Sequence, residues 1–291
     1  MKRLLFIGLF LLGMPAFAAE NQIFIQQTNA TNSQIDIEQL GSGNIIADDE
    51  SDTSTVDAAM NIDGTGLDFN LDQIGDSNQF LTDIVGDDGT YNFSFTGDTN
   101  IFTSQFNSEG TYSMDMMDLS SITIGSGNDF TVNIAEGADA SDGIIDWEFD
   151  GSDNTIVFTA ASDYTNSDLA DILGSGGQQD AATADSIDID WDINGDDNDF
   201  DVLINSSNVE QDWDITGDSV IIDYAGLNNA ENTEGHYSKL DVTGSFWDIK
   251  LVQESASAAD WVSITATGSG SSNSNATLCV VQNDSGTSVS C

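Results

Sequence analysis

The sequence predicts an all-β protein, a β-solenoid of about nine or ten stacked strand–turn–strand rungs with insertions on one edge. Three observations predict it. A glycine recurs at Gly41, Gly75, Gly97, Gly125, Gly151, Gly195, Gly217, Gly244 and Gly268, with asparagine three residues later at Asn44, Asn78, Asn100, Asn128, Asn154 and Asn198. The flanking apolar residues keep register with that glycine. Between them, apolar and polar residues alternate with a period of two, which puts one set on one face of a strand.

Four residues before the glycine stand Ile37, Leu71, Phe93, Trp147, Trp191 and Trp213, the expected core; Ser121 is the exception. Five residues after it stand Ile46, Phe80, Phe102, Phe130, Ile156, Phe200, Ile222 and Ile249. The segment from Ser186 to Ile193 shows the alternation most clearly, with Asp188, Asp190 and Asp192 between Ile187, Ile189, Trp191 and Ile193. Glycine supplies positive φ for a tight arc between strands. The asparagine side chain either bonds the backbone within the turn or stacks into an amide ladder on neighbouring rungs.

The turn signals alone also suit an antiparallel β-sandwich or barrel; the shared register of glycine and apolar positions favours stacking. In the later units the asparagine gives way to Val220, Trp247 and Ser271, and Gly174 is a degenerate candidate marker. Extra residues are expected between the second strand of one unit and the first of the next, at Ala47–Gly66, Thr159–Asp185 and Ala225–Glu234.

The chain opens with Lys2-Arg3, an apolar run from Leu4 to Leu12 and the small-residue signal Pro15-Ala16-Phe17-Ala18. This predicts a secretory signal peptide over 1–18. A half rung over 19–32, repeats over 33–270 and a Cys-bearing cap over 271–291 complete the expected organisation. Cys279 and Cys291 are expected to pair in an oxidising compartment.

Against 51 acidic residues stand 4 Lys and Arg, a net charge of −47. Nucleic acid and anionic membrane surfaces are excluded as partners by repulsion. With 39% apolar and 9% aromatic residues the chain is still too hydrophobic to be a disordered acidic tail. No phosphate loop, nucleophile elbow or zinc motif is present, so no catalytic residue is assigned and the chain is not read as an enzyme. The single histidine, His236, is expected on a surface loop. Ca²⁺ is the one cofactor the composition leaves open, through the oxygen-rich Asp196, Asp197, Asp199 and Asp201. The alternative for those residues is a solvated acidic face.

The first repeat carries a more specific signal: Ser33, five residues, then Gln39-Leu40-Gly41-Ser42-Gly43-Asn44. It resembles the curlin repeat of curli fibres, with Ile46 and Glu50 at positions where that repeat has Ala and Gln. The second unit keeps Gln73, Gly75 and Asn78, and the fourth keeps Gly125, Gly127 and Asn128. The match is close over about 20–80 and thins beyond it. The resemblance implies a secreted subunit of a Gram-negative cell surface that polymerises with itself, helped by an outer-membrane exporter and a nucleator subunit. The regular, sparsely charged Ile23–Asn44 is the expected adhesive edge. The alternative is a monomeric acidic adhesin or a virion-associated binding module.

Overall fold

A strand that is apolar on one face must meet a second apolar face. The computed structural model describes residues 22–47, 60–86, 88–106, 114–115, 117–134, 140–160, 184–185, 187–205, 209–227, 236–254, 260–268 and 276–283. In it, two parallel sheets face one another across a single core. The expected signal peptide, Gly174 and Cys291 lie outside the described residues.

The first sheet has nine strands: Gln34–Leu40, Asp68–Ile74, Thr90–Thr96, Asp118–Ile124, Ile144–Asp150, Ile187–Asn194, Val209–Thr216, Tyr237–Thr243 and Trp261–Thr267. Each continues through an arc into a strand of the second sheet: Ile45–Ala47, Gln79–Val85, Ile101–Phe106, Asp129–Ile134, Thr155–Ala160, Asp199–Asn205, Ile221–Leu227, Asp248–Glu254 and Thr277–Asn283. One strand from each sheet makes a rung. Every pairing along both stacks is parallel, and each rung bonds to the one before and after it. The described residues thus form a parallel β-solenoid, and the antiparallel alternative is excluded.

Parity decides what lies inside. Phe69, Tyr91, Leu119, Ile145 and Ile189 occupy one inner column, and Ile46, Phe80, Phe102, Phe130, Ile156, Phe200, Ile222 and Ile249 another. The column of expected core residues holds Leu71, Phe93, Trp147, Trp191 and Trp213, all buried, with Ile37 partly buried at the end. The three indoles stack with ring centroids 5.0 and 4.6 Å apart and planes within 14°. Their N–H groups find no hydrogen-bond partner among the described residues. An unmet buried donor costs about 1–3 kcal/mol. Burying an indole removes roughly 150–250 Å² from water, about 4–6 kcal/mol at 25 cal/mol per Å². Burial wins, so tryptophan is tolerated here three rungs running.

Three sequence expectations change. Ile144–Asp150 pairs directly with Ile187–Asn194, which leaves no space for a rung at Gly174. Residues 48–59 do not separate rungs: Ile46 faces Phe80 and Met60 faces Thr82, so one strand position resumes after the insertion. Thr277–Asn283 pairs along its whole length with Asp248–Glu254, so it is the ninth rung's second strand rather than part of a cap. Thr277 takes the place opposite Asp248 that the glycine spacing from Gly268 assigned to an earlier residue.

Other insertions do lie on the edge opposite the arcs. Three of them bear the two-residue strands Met114–Asp115, Ala140–Ser141 and Ala184–Asp185, which make a small parallel sheet of their own. The half rung is present: Gln22–Phe24 pairs with Ile45–Ala47, and Gln26–Thr31 with Met60–Thr65.

The arc glycines are required by approach, not only by φ. A Cβ on Gly97 would meet the Gly75 carbonyl oxygen at 2.3 Å, and one on Gly125 would meet that of Gly97 at 2.1 Å. Two residues further on, the chain is left-handed again at Gly43, Ser77, Thr99, Gly127, Asp153 and Asp197, and a Cβ on Gly127 would make only an ordinary contact with Thr99 Cγ2 at 3.6 Å. Gly97→Ala should therefore cost about 3 kcal/mol or more, and Gly127→Asn about 1 kcal/mol or less, in urea unfolding. Equal effects at the two positions would contradict the close-approach account.

Candidate functional site

The arcs carry two ladders. In the inner one, each asparagine Oδ1 accepts the backbone N–H of the asparagine one rung earlier. The distances are 2.9 Å for Asn44 to Asn78, 2.9 Å for Asn78 to Asn100, 2.8 Å for Asn100 to Asn128, and 3.0 Å for Asn128 to Asn154 and Asn154 to Asn198. The Nδ2 of Asn44, Asn78, Asn100 and Asn198 donates to the carbonyl of its own rung's glycine, at 2.7–3.1 Å. Both roles open to asparagine on sequence grounds are thus filled by one side chain, and all six are buried. Gly41, Gly75, Gly97, Gly125, Gly151 and Gly195 sit at the start of these arcs as expected.

The outer ladder was not read from the sequence. Asp98 N–H donates to Asp76 Oδ1 at 2.9 Å, Ser126 N–H to Asp98 Oδ1 at 2.7 Å, Asp196 N–H to Ser152 Oγ at 2.9 Å and Asp218 N–H to Asp196 Oδ1 at 2.7 Å. The signal was available: the residue after the glycine is Ser42, Asp76, Asp98, Ser126, Ser152, Asp196, Asp218 or Ser245, always a short acceptor. A third ladder runs inside the first two rungs, where Gln73 Nε2 donates to Gln39 Oε1 at 2.8 Å, both buried. These glutamines and the arc residues Gly41, Gly43 and Asn44 are the ones on which the curlin resemblance rests.

The candidate calcium ligands do not converge. Asp196 serves the outer ladder, Asp197 holds the left-handed arc position, and Asp199 and Asp201 point outward on the second sheet. Among the described residues no group of three acids, histidines or cysteines is placed to hold a metal ion.

Carboxylates instead form outward columns. Asp146, Asp190 and Asp212 stand in register on the first sheet, as do Glu148, Asp192, Asp214 and Asp241. Like charges one rung apart, ~4.8 Å, repel by about 1 kcal/mol in water. Burial pushes the Asp190 carboxyl above the ordinary range, with Asp146, Asp212, Asp192 and Asp188 adding to it. Burial likewise raises Asp129, Asp188 and Asp199. The first of these columns ends on Lys239 of the eighth rung, which reaches Asp212 at 2.7 Å; on the second sheet Asp201 and Asp223 stand in register and end on Lys250, which reaches Asp223 at 3.0 Å.

His236 is buried, contrary to the surface-loop expectation. It shares inward parity with Ser238, Leu240 and Val242, and its backbone N–H donates to Asp260 Oδ1 at 3.0 Å. Next to it, Gln253 Nε2 donates to Ser238 Oγ, and burial drives the Tyr224 hydroxyl well above its usual range. This polar cluster closes the core of the seventh and eighth rungs.

The two ends of the stack differ from its middle. At the C-terminal end the inward-parity residues Leu278 and Val280 are 46% and 39% exposed, while Ile249 and Leu251, one rung earlier, are fully buried. At the N-terminal end Ile23, Ile25, Ile35 and Ile37 are only partly buried. Gln22–Thr31, Trp261–Thr267 and Thr277–Asn283 contain no charged residue and no proline. Natural sheets usually blunt an exposed edge with such residues. Cys279 lies on the last strand and is disulfide-bonded; the chain's other cysteine is Cys291.

The described residues define a parallel β-solenoid with acidic sides and open ends, uncharged on both edges of the second sheet and on the C-terminal edge of the first, while the first sheet's N-terminal edge strand, Gln34–Leu40, carries Asp36 and Glu38. No family model, curated protein or solved structure matches the chain.

Two outcomes are expected. Asn100→Ala leaves the Asn78 N–H and the Gly97 carbonyl unmet and should cost about 2–4 kcal/mol in urea unfolding. Second, the raised carboxyls bind protons more readily folded than unfolded. The stability this adds grows as pH falls through the raised values and is complete below 3.8, the ordinary Asp value. The melting temperature should then be higher at about pH 4.5 than at about pH 7; a fall on acidification would contradict this reading of the acidic columns.

Proposed function

We propose that the protein is a secreted, curlin-like structural subunit that assembles head to tail with further copies into extracellular surface or matrix fibres serving adhesion or biofilm. The observation that carries this reading is the pair of open parallel edges at the ends, each with core side chains left exposed. An open edge templates another strand unless it is blocked. The resemblance of the first repeat to the curlin unit supports the same reading, and with it export through an outer membrane and a nucleating partner.

The acidic columns suit this role. They hold rods apart side by side, while the uncharged edge strands of the second sheet meet without repulsion. Screening then controls assembly, since the Debye length falls from about 30 Å at 0.01 M salt to about 3 Å at 1 M. Diffuse Ca²⁺ binding to the columns acts in the same direction.

A second reading is a monomeric acidic binding module. It draws support from an open groove of about 670 Å³ along the outer face of the first rungs, lined by Asp36, Glu38, Asn70, Asp72, Asn92 and Ser94. Asn92 Nδ2 donates to Asn70 Oδ1, and Asn70 Nδ2 to Asp36 Oδ1, both at 2.9 Å. A groove of this kind suits a polyhydroxy ligand. Electron microscopy of the mature chain separates the two readings. The fibre reading expects filaments whose elongation accelerates with NaCl or Ca²⁺; monodisperse rods at every salt concentration would support the binding module instead.

A further inference from the structure

The two sheets do not have the same number of levels. The first has nine strands. The second has ten levels, because Gln22–Phe24 and Gln26–Thr31 together form a level before the first rung, and Ile45–Ala47 and Met60–Thr65 together form the next. At the C-terminal end both sheets stop on the same rung among the described residues. A second copy therefore cannot seat both of its last strands flush on this chain. If Trp261–Thr267 were to pair with the edge of Gln34–Leu40, Thr277–Asn283 would occupy the place already held by Gln22–Thr31.

Resting on the fibre reading, we propose that copies join through the second sheet alone, with Thr277–Asn283 of one copy pairing in parallel with Gln22–Thr31 of the next. The internal register extends unbroken into this joint. Ile249 faces Leu278 at one end, and Ile23 faces Ile46 at the other, all in one inner column. The joint continues that column by setting Leu278 on Ile23. The neighbouring inner columns set Val280 on Ile25 and Gln282 on Gln27.

Each contact matches in kind. Two exposed apolar side chains meet two partly buried isoleucines. The glutamines extend an amide ladder already begun where Gln282 Nε2 donates to Gln253 Oε1 at 3.2 Å. Gln27 is itself held in place, its Nε2 donating to Ser33 Oγ at 2.8 Å. Neither strand brings a charge to the joint.

The geometry has a measurable consequence. Ten levels at ~4.8 Å give a subunit repeat of about 48 Å, with a gap one strand wide in the first sheet at every junction. Flush stacking of nine rungs, with Gln22–Thr31 displaced, gives about 43 Å instead.

The test is the axial repeat of fibres grown from the mature chain, measured by cryo-electron microscopy, together with charge variants at the joint. The expected repeat is about 48 Å. Leu278→Asp places an unpaired carboxylate in the joint and should slow elongation about a hundredfold or more. Because Leu278 is already 46% exposed in the single rod, the variant should keep the wild-type circular dichroism and protease resistance. Adding Ile23→Lys to the same chain should restore elongation by pairing the two charges, whereas adding Ile35→Lys should not. Fibres with a repeat of about 43 Å, or rescue by Ile35→Lys, would overturn this joint and leave the fibre reading standing. Absence of assembly under all salt conditions would overturn both.

Discussion

The structure depends on the closeness with which successive arcs approach one another. The carbonyl oxygen of each arc glycine lies where the next glycine's Cβ would be, 2.1 Å away at Gly75 and 1.8 Å at Gly151. Only a residue without a side chain lets the turns nest at strand spacing. Once they nest, the rest follows. The strands on either side run parallel without slippage, and the asparagine amide reaches the backbone of the adjoining rung. Inner side chains of equal parity fall into columns. A lone rung could not offset the entropy of ordering its own residues, about 1–2 kcal/mol each; a stack shares the core and the hydrogen bonds between neighbours.

Much of this was legible from residues alone. Gly75 with Asn78, and Trp191 four residues before Gly195, announce an arc and a core position because sterics and parity act locally. What could not be read depends on which strand meets which. Gly174 has the form of a degenerate marker, yet the strands flanking it are already paired with each other. The insertion after Ala47 looked like a connection between rungs, since nothing local shows that Met60 resumes the same strand level. Thr277–Asn283 falls in the expected cap because it begins later than the spacing from Gly268 places a strand.

His236 shows the opposite error. Its polar neighbours suggested a loop, although its parity with Ser238 and Leu240 already pointed inward. The outer arc ladder was missed for another reason. Serine and aspartate share its positions, so no single residue type recurs, and only their shared ability to accept an N–H unites them.

Charge and stacking divide the molecule between them. Acidic columns in the middle rungs cost repulsion, offset by the lysines at Asp212 and Asp223 and by the buried core beneath. The end strands of the second sheet omit charge, whereas the first sheet's N-terminal edge, Gln34–Leu40, carries Asp36 and Glu38, so on the second sheet the groups that discourage contact are absent where another rung would add. Amide hydrogen exchange tests this division most directly. In the single rod, the backbone amides of Asn78, Asn100 and Asn128 should exchange slowest, and those of Gln22–Thr31 and Thr277–Asn283 fastest. On assembly the two end strands should become as protected as the interior. End strands already protected in the single rod, or unchanged on assembly, would contradict an open-ended stack.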